Sequence, residues 1–196
     1  MPIAWSETAP AGVGRLPRFL TASLARELGI LLSLSVMFPF MIHLLPVPED
    51  AQLGPRLLPM LYAPLLATLW GRMRSAVLVA LSAPWLNWAL TSHPSPRSAI
   101  MMMVQLLVFV FALRNLLAGG ASMRWFLAAP AYLAGMAASA LTATLFPALI
   151  GGQPALAWAA RSIVIGLPGI AILVLINWLA LHHYPPGGAG GGPRAA

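Results

Sequence analysis

The sequence predicts an all-α, polytopic membrane protein with six transmembrane helices. Of its 196 residues, 60% are hydrophobic and only 8% are charged, which is too little polar surface to cover a water-soluble domain. Several apolar runs approach or exceed the roughly 18–20 residues that cross a bilayer as a helix. Segments of alternating hydrophobicity, which are typical of a transmembrane β-barrel, do not occur in the sequence.

The first two predicted helices both contain proline. Predicted helix one runs from about Phe19 to Leu45, with its membrane part from about Leu28, and Pro39 is expected to kink its outer half because proline removes a backbone hydrogen bond. Predicted helix two covers Leu57–Trp70, which is short for a full crossing. Its two prolines, Pro59 and Pro64, favour a tilted or broken helix.

Longer apolar runs follow, separated by short polar or glycine-containing connections. They predict helix three at Ser75–Thr91, helix four at Ser98–Leu117, helix five at Trp125–Ile150 and helix six at Leu156–Leu181. Together the six helices are predicted to form one transmembrane domain over residues 19–183. Residues 1–18 are expected to be a flexible cytoplasmic arm, and the Gly/Pro-rich residues 184–196 a flexible tail.

The distribution of arginine, the only basic residue type besides histidine, predicts the orientation. An even number of crossings places both termini on one side, which then holds eight arginines against three on the other. The eight are Arg15, Arg18, Arg26, Arg72, Arg74, Arg114, Arg124 and Arg194, and the three are Arg56, Arg97 and Arg161. Because positive charge is retained in the cytoplasm, we expect a multi-pass protein of the plasma (inner) membrane with both termini cytoplasmic and the SHPSPR loop outside.

Composition and missing motifs restrict the functional classes. The net charge of +7 follows from this topology and does not indicate nucleic-acid binding, since the arginines lie in short connections between apolar runs. The chain has no cysteine, which excludes disulfides and thiolate chemistry. Signatures of serine hydrolases, zinc peptidases and nucleotide-binding loops are absent, and no carboxylate lies within a predicted span. The sequence therefore predicts neither catalytic residues nor a metal or other cofactor.

Small residues recur at every fourth position in two predicted helices, a spacing that lets helices approach closely in lipid. The series are Ala25, Gly29 and Ser33 in helix one, and Ala131, Gly135, Ser139 and Ala143 in helix five. Two interpretations stay open for helix one: packing within the monomer, or docking against a separate membrane subunit.

An amide lies between two indoles near the predicted outer end of helix three. Trp85 and Trp88 are typical of the aromatic belt at a membrane interface, and they also offer stacking area to a planar ligand. Asn87 lies about one turn from the outer end, where its amide needs a partner on another helix or on a ligand. Gln105, about two turns into helix four, has the same two possibilities.

Ionisable residues give further candidates. Glu49 and Asp50 in the first loop are either a solvated pair or part of a lid over a ligand. Arg161, at the start of helix six, goes against the positive-inside bias, which indicates a lid or an anion contact. His182 and His183 are adjacent and point in different directions on a helix, so they are a weak candidate for metal binding.

Residues from about 45 to 117 resemble the substrate-binding membrane subunit, the S component, of energy-coupling-factor (ECF) vitamin transporters. The resemblance lies in LLPMLYAPLLATLWGRMRSAVLVALSAPWLNWALTSHPSPRSAIMMMVQL. This segment has a short proline-containing helix, a glycine and basic turn, a helix ending in a polar loop, and a helix with a polar residue two turns in. The family's frequent glutamate in helix four is Gln105 here, and its usual glycine after the basic turn is replaced by Ser75 and Ala76. Where some subgroups have a histidine in helix two, this chain has Leu61 and Tyr62.

The resemblance implies a six-helix bundle that captures a small planar or vitamin-like metabolite near the extracellular face. The substrate-contacting candidates are Tyr62, Trp85, Asn87, Trp88 and Gln105, and the lid candidates are Glu49, Asp50 and Arg161. The family's mechanism implies that Ala25, Gly29 and Ser33 dock onto a transmembrane coupling subunit driven by two ATPase subunits, as in an ABC importer. The alternative is an integral membrane scaffold that carries no cargo and acts through helix–helix contacts.

Overall fold

The computed structural model describes residues 22–44, 53–119 and 124–183, and all regular structure in these ranges is helical. The α-helices are α1 (Ala22–His43), α2 (Leu53–Leu57), α3 (Tyr62–Leu69), α4 (Met73–Thr91), α5 (Pro96–Ala118), α6 (Ala128–Leu145) and α7 (Ala155–His183). Short 3-10 helices lie at Pro59–Leu61, Arg124–Phe126 and Pro147–Ile150. The predicted all-α class is confirmed for the described residues, and α2 is a helix that the sequence did not predict.

Within the described residues, four helices are long and apolar enough to cross a membrane: α1, α5, α6 and α7. Helix α4 has a comparable length of 19 residues, but Arg74, Asn87 and two tryptophans make it less apolar. The apolar stretch Pro59–Leu69 is shorter than a crossing requires. The structure therefore indicates a helical membrane protein with four candidate spans, and the six crossings stay a prediction.

The helix that follows the first connection is broken and lies inside the bundle. Leu58 has a left-handed backbone (φ 53°, ψ 42°) immediately before Pro59, which begins a 3-10 turn. Proline disfavours the right-handed helical conformation in the residue before it, so α2 cannot continue into α3. Most of α3 is buried, and it packs against α1, α4, α5 and α7. Predicted helix two is therefore correct in being short and broken, but α3 begins only at Tyr62.

A glycine of α7 allows the break before α3 to pack closely. A Cβ atom at Gly169 would lie 2.7 Å from the carbonyl oxygen of Arg56 and 2.7 Å from Cγ of Leu58. Both distances are shorter than any normal carbon contact, so only glycine admits this approach. The hydroxyl of Tyr62 donates a hydrogen bond to the carbonyl oxygen of Leu57 and closes the same turn.

The two series of small residues have different environments. In α6, a Cβ atom at Gly135 would lie 2.7 Å from the carbonyl oxygen of Gln105, so this series allows close packing of α5 on α6. In α1, Ala25, Gly29 and Ser33 are exposed, and a Cβ atom at Gly29 would meet nothing within 4 Å. Internal packing therefore explains the series in α6 and does not explain the one in α1.

Contacts between distant segments gather several connections at one end of the bundle. Arg72 Nε lies 3.9 Å from Glu27 Oε2, which joins the turn before α4 to the start of α1. Asn177 Nδ2 donates a 2.9 Å hydrogen bond to the carbonyl oxygen of Arg124, which joins the end of α7 to the connection before α6. These are connections that the arginine distribution assigns to the cytoplasm. The ends of α1 and α4 and the starts of α5 and α7 lie at the opposite end.

Candidate functional site

A cavity of about 780 Å³ lies at that opposite end of the bundle. Helices α1, α4, α5, α6 and α7 contribute to its wall, together with the segment from Leu53 to Leu61. Its volume is within the range of about 300–1,000 Å³ that is typical of small-molecule sites. The polar and larger aromatic residues in the wall are Phe40, Asn87, Thr91, His93, Ser98, Gln105, Tyr132, Gln153, Trp158, Arg161 and Ser162.

Helical spacing explains why these residues converge. Side chains three, four or seven positions apart share one face of an α-helix. Helix α5 presents Ser98, Met102 and Gln105 to the cavity, and α6 presents Tyr132 and Met136. Helix α7 presents a longer stripe, formed by Trp158, Arg161, Ser162 and Ile165. These three parts of the wall are thus regular helix faces, and residues of the connections, among them His93, Pro94 and Gln153, complete the lining.

The start of α5 sets the depth of Gln105. Ser95 caps the helix, because its Oγ accepts a hydrogen bond from the backbone N–H of Ser98 at 3.3 Å. Pro96 occupies the first helical position, where its missing N–H is not needed. Gln105 follows nine residues later, so it lies about 13 Å below the start of the helix.

Asn87 has a structural role that also places it in the cavity wall. It is 2% exposed, and its Nδ2 donates to the carbonyl oxygen of Ser35 at 3.1 Å, to that of Ala83 at 3.0 Å and to Met60 Sδ at 3.3 Å. The residue four positions after Ser35 is Pro39, which has no N–H to offer to the Ser35 carbonyl within α1. Asn87 therefore supplies the donor that Pro39 lacks and connects α4 to α1. The sequence left open whether the Asn87 amide pairs with another helix or with a ligand. The structure shows the bond to another helix, and Asn87 also lines the cavity.

The Asn87 contacts determine which way its amide points. Both of its oxygen partners are backbone carbonyls, which accept hydrogen bonds and do not donate them. The NH₂ group must therefore face them, and its hydrogens are committed to these backbone acceptors.

Gln105 and Tyr132 form a polar pair in the wall. Gln105 of α5 and Tyr132 of α6 both line the cavity. Tyr132 is only 1% exposed, and its hydroxyl would lie 3.1 Å from a Cβ atom at Gly166 of α7. The absence of a side chain at Gly166 thus leaves room for the phenol between α6 and α7.

Arg161 contributes a positive charge to the wall. It lies on the cavity face of α7, about 9 Å from the start of that helix. Among the residues that the structure describes, the single carboxylate is Glu27, and it lies beside Arg72 at the other end of the bundle. Within this part of the chain, no acidic side chain neutralises Arg161.

The sequence-derived candidates separate into three groups. Asn87, Gln105 and Arg161 come together in the wall of the cavity. The wall does not include Tyr62, whose hydroxyl is bonded to the backbone, or the two tryptophans of α4. Trp85 and Trp88 instead pack edge to face against each other, with ring centroids 6.2 Å apart, and Trp88 is 40% exposed. Glu49 and Asp50 lie outside the described residues.

Sequence reasoning missed Tyr132 and Trp158. Tyr132 carries a hydroxyl within an apolar span, where it needs a partner, and this signal was available from the sequence. Trp158 lies three residues before Arg161, so the two share a helix face, and that spacing was also available. The three methionines of the wall, Met60, Met102 and Met136, have no distinguishing pattern in the sequence.

The wall combines polar groups with apolar surface. Amide, hydroxyl, indole and guanidinium groups can donate or accept hydrogen bonds, and the thioethers and indole provide apolar surface. In residues 22–44, 53–119 and 124–183, no group of three or more His, Cys, Asp or Glu side chains is arranged to hold a metal ion. His182 instead stacks on Trp178, with ring centroids 5.5 Å apart.

Comparisons with known proteins identify no relative. No family model matches the chain, and neither the curated proteins nor the solved structures contain a match.

Proposed function

We propose that this protein is the substrate-binding membrane subunit, the S component, of an ECF-type importer. It captures a small planar, vitamin-like metabolite in the cavity at the predicted extracellular end. The observation that carries the proposal is the cavity of about 780 Å³, which is lined by faces of several helices and has polar groups in a largely apolar wall. The resemblance over residues 45–117 supports it independently, because that segment contributes α2, α3, α4 and most of α5.

The exposed face of α1 supports the second half of the proposal. Only 11% of the apolar window of α1 is buried, and its small residues Ala25, Gly29 and Ser33 are on the surface. Small residues let a second helix approach closely enough for backbone contact in lipid. In this proposal they dock onto a transmembrane coupling subunit, and two ATPase subunits bound to that subunit drive release of the metabolite into the cytoplasm.

Equilibrium binding tests the first half. The purified protein, reconstituted in lipid nanodiscs, is titrated calorimetrically with a panel of water-soluble vitamins and their precursors. We expect one of them to bind, and Gln105→Ala to weaken that binding by about tenfold, the equivalent of one well-formed polar interaction. Trp158→Leu should weaken it as well, whereas the matched control Trp88→Leu should not, since Trp88 lies outside the wall. A panel without any binder, or a binder whose affinity both wall variants leave unchanged, would refute the site.

Co-purification tests the second half and the scaffold alternative. In membranes of the native host, an S component should be recovered with a polytopic coupling subunit and ATPases. Gly29→Leu, which fills the exposed small-residue face, should abolish this recovery while leaving metabolite binding intact. Recovery of structural membrane proteins in place of ATPases would favour the scaffold, which uses the same face of α1 and needs no cavity.

A further inference from the structure

We propose that the ligand of the cavity is an organic anion with a planar apolar body, and that Arg161 is the residue that selects its acidic group. This inference rests on the proposed function and specifies the class of substrate. It comes from the charges around the cavity, the hydrogen-bond donors left in its wall, and the position of Trp158 beside Arg161.

The charge at this end of the bundle favours an anion. The sequence assigns Arg56, Arg97 and Arg161 to the predicted outer side, against two carboxylates, Glu49 and Asp50. Among the arginine, glutamate and aspartate residues that the structure describes, only Arg161 lies in the cavity wall. An excess of positive charge beside a low-dielectric cavity attracts anions and raises their local concentration. Arg161 is exposed beside the cavity, so its guanidinium is accessible to a bound acid.

Three of the hydroxyl and amide donors in the wall are already used by the backbone. The hydroxyl of Ser162 donates to the carbonyl oxygen of Trp158 at 2.9 Å, and that of Thr91 donates to carbonyl oxygens on and just beyond α4. Asn87 donates through Nδ2 to Ser35 and Ala83. A carboxylate or phosphate needs donors, so it cannot be recognised by these three groups. The guanidinium of Arg161 has five N–H groups in a planar fork that matches such anions.

The surface next to Arg161 suits a flat apolar group. Trp158 is one turn before Arg161 on the same face of α7 and is half-buried. The wall also contains Met60, Met102 and Met136, whose thioethers make favourable contacts with aromatic rings. A ring placed between the indole and these methionines brings an acidic substituent toward Arg161. Deeper in the wall, Gln105 and Tyr132 are positioned to bond a polar atom of the ring.

The test compares acids with their uncharged amides. The probes are indole-3-acetate with indole-3-acetamide, nicotinate with nicotinamide, and 4-aminobenzoate with 4-aminobenzamide, titrated into the nanodisc-reconstituted protein. For at least one pair we expect the acid to bind about tenfold or more tightly than the amide, the usual gain from a charge-assisted hydrogen bond. Arg161→Gln should remove that preference, lowering the affinity for the acid by about tenfold to a hundredfold and changing that for the amide little. Arg97→Gln removes the same charge from the same side, outside the wall, and should preserve the preference.

Other outcomes overturn the inference. If Arg161 served only as the partner of Glu49 or Asp50, the Arg161→Gln variant would change the affinities for acid and amide alike. An acid preference that survives Arg161→Gln would assign the selection to another residue. Equal binding of acids and amides by the unaltered protein would show that the acidic group is not selected. Arg161→Lys, which keeps the charge, serves as the control for folding. If its unfolding temperature is unchanged, misfolding is excluded as the cause of a loss of affinity at this position.

Extraction of the purified protein separates this inference from the proposed function. Mass spectrometry of the small molecules released on denaturation should identify an acidic aromatic or heteroaromatic compound. A neutral or cationic metabolite bound in the cavity would refute the selection by Arg161 and leave the proposed function standing. A protein that carries no metabolite and binds none of the vitamin panel or the probes would refute the proposed function itself.

Discussion

Replacing Asn87 by alanine removes a donor that α1 cannot supply for itself. In the native structure, Nδ2 of Asn87 lies 3.1 Å from the carbonyl oxygen of Ser35, a residue with 0% exposure. The regular donor to that oxygen would be the N–H of residue 39, and proline has none. The variant Asn87→Ala therefore leaves a buried carbonyl without its partner, while Pro39→Ala restores the missing N–H.

The magnitude follows from the cost of an unpaired buried polar group. Loss of one partner costs about 1–3 kcal/mol, so Asn87→Ala should destabilise the protein by that amount. In a protein of this size, 1 kcal/mol corresponds to about 2–4 °C in unfolding temperature, which gives a decrease of about 2–12 °C. In the Pro39→Ala background, the backbone of residue 39 bonds to Ser35, and the same substitution should cost about 1–2 kcal/mol less.

The assay is a double-mutant cycle on unfolding temperature in one detergent. The four proteins are the native chain, Asn87→Ala, Pro39→Ala and the double variant, with Asn115→Ala as a control, because Asn115 is exposed on α5 and belongs to no such contact. Additive effects, with Asn87→Ala equally costly in both backgrounds, would refute the compensation of Pro39 by Asn87. A control as destabilised as Asn87→Ala would show that the loss of an exposed amide has the same effect, and would refute the role of the buried contact.

Three further outcomes are expected. Gly169→Ala should lower the unfolding temperature by several degrees, since overpacking costs about 1–3 kcal/mol. The control Gly29→Ala, which has open space around it, should not lower it. Equal stability of the two variants would contradict the close approach of the Leu58 segment to α7. Tyr132→Phe should weaken binding of the identified ligand by about three- to tenfold with little change in unfolding temperature, measured by calorimetry, and unchanged affinity would remove the phenol from the site. Labelling of a cysteine introduced at Ser92 by a membrane-impermeant maleimide in intact cells should succeed; protection of this position until lysis would reverse the predicted orientation.

The sequence predicted the helical class and most helix positions because both depend on local hydrophobic patterning. The observed α4 and α5 lie within about two residues of predicted helices three and four. Predicted helix two was less accurate, since the break at Leu58 depends on how the chain packs on Gly169 far along the sequence. Such a contact has no local signal, although Pro59 marks the position where it occurs.

The candidate site was predicted in part. Asn87 was selected because an amide within a span needs a partner, and the structure provides one. Trp85 and Trp88 were grouped with it because they are near in sequence. On a helix, residues 85 and 88 share one face, and residue 87 points about 100° away from residue 88, so proximity in sequence is misleading. Helix periodicity applied to α7 would have associated Trp158 with Arg161.

The packing of Leu58 against Gly169 has a consequence for the biogenesis of the protein. These two residues are separated by more than half of the chain, and the contact joins an early segment of the bundle to α7. Because ribosomes deliver N-terminal segments first, α2 and the start of α3 are synthesised well before the surface on which they pack. The segment from Leu53 to Leu61 therefore reaches its final packing only after α7 has been made, and a chain truncated before α7 lacks the Gly169 surface.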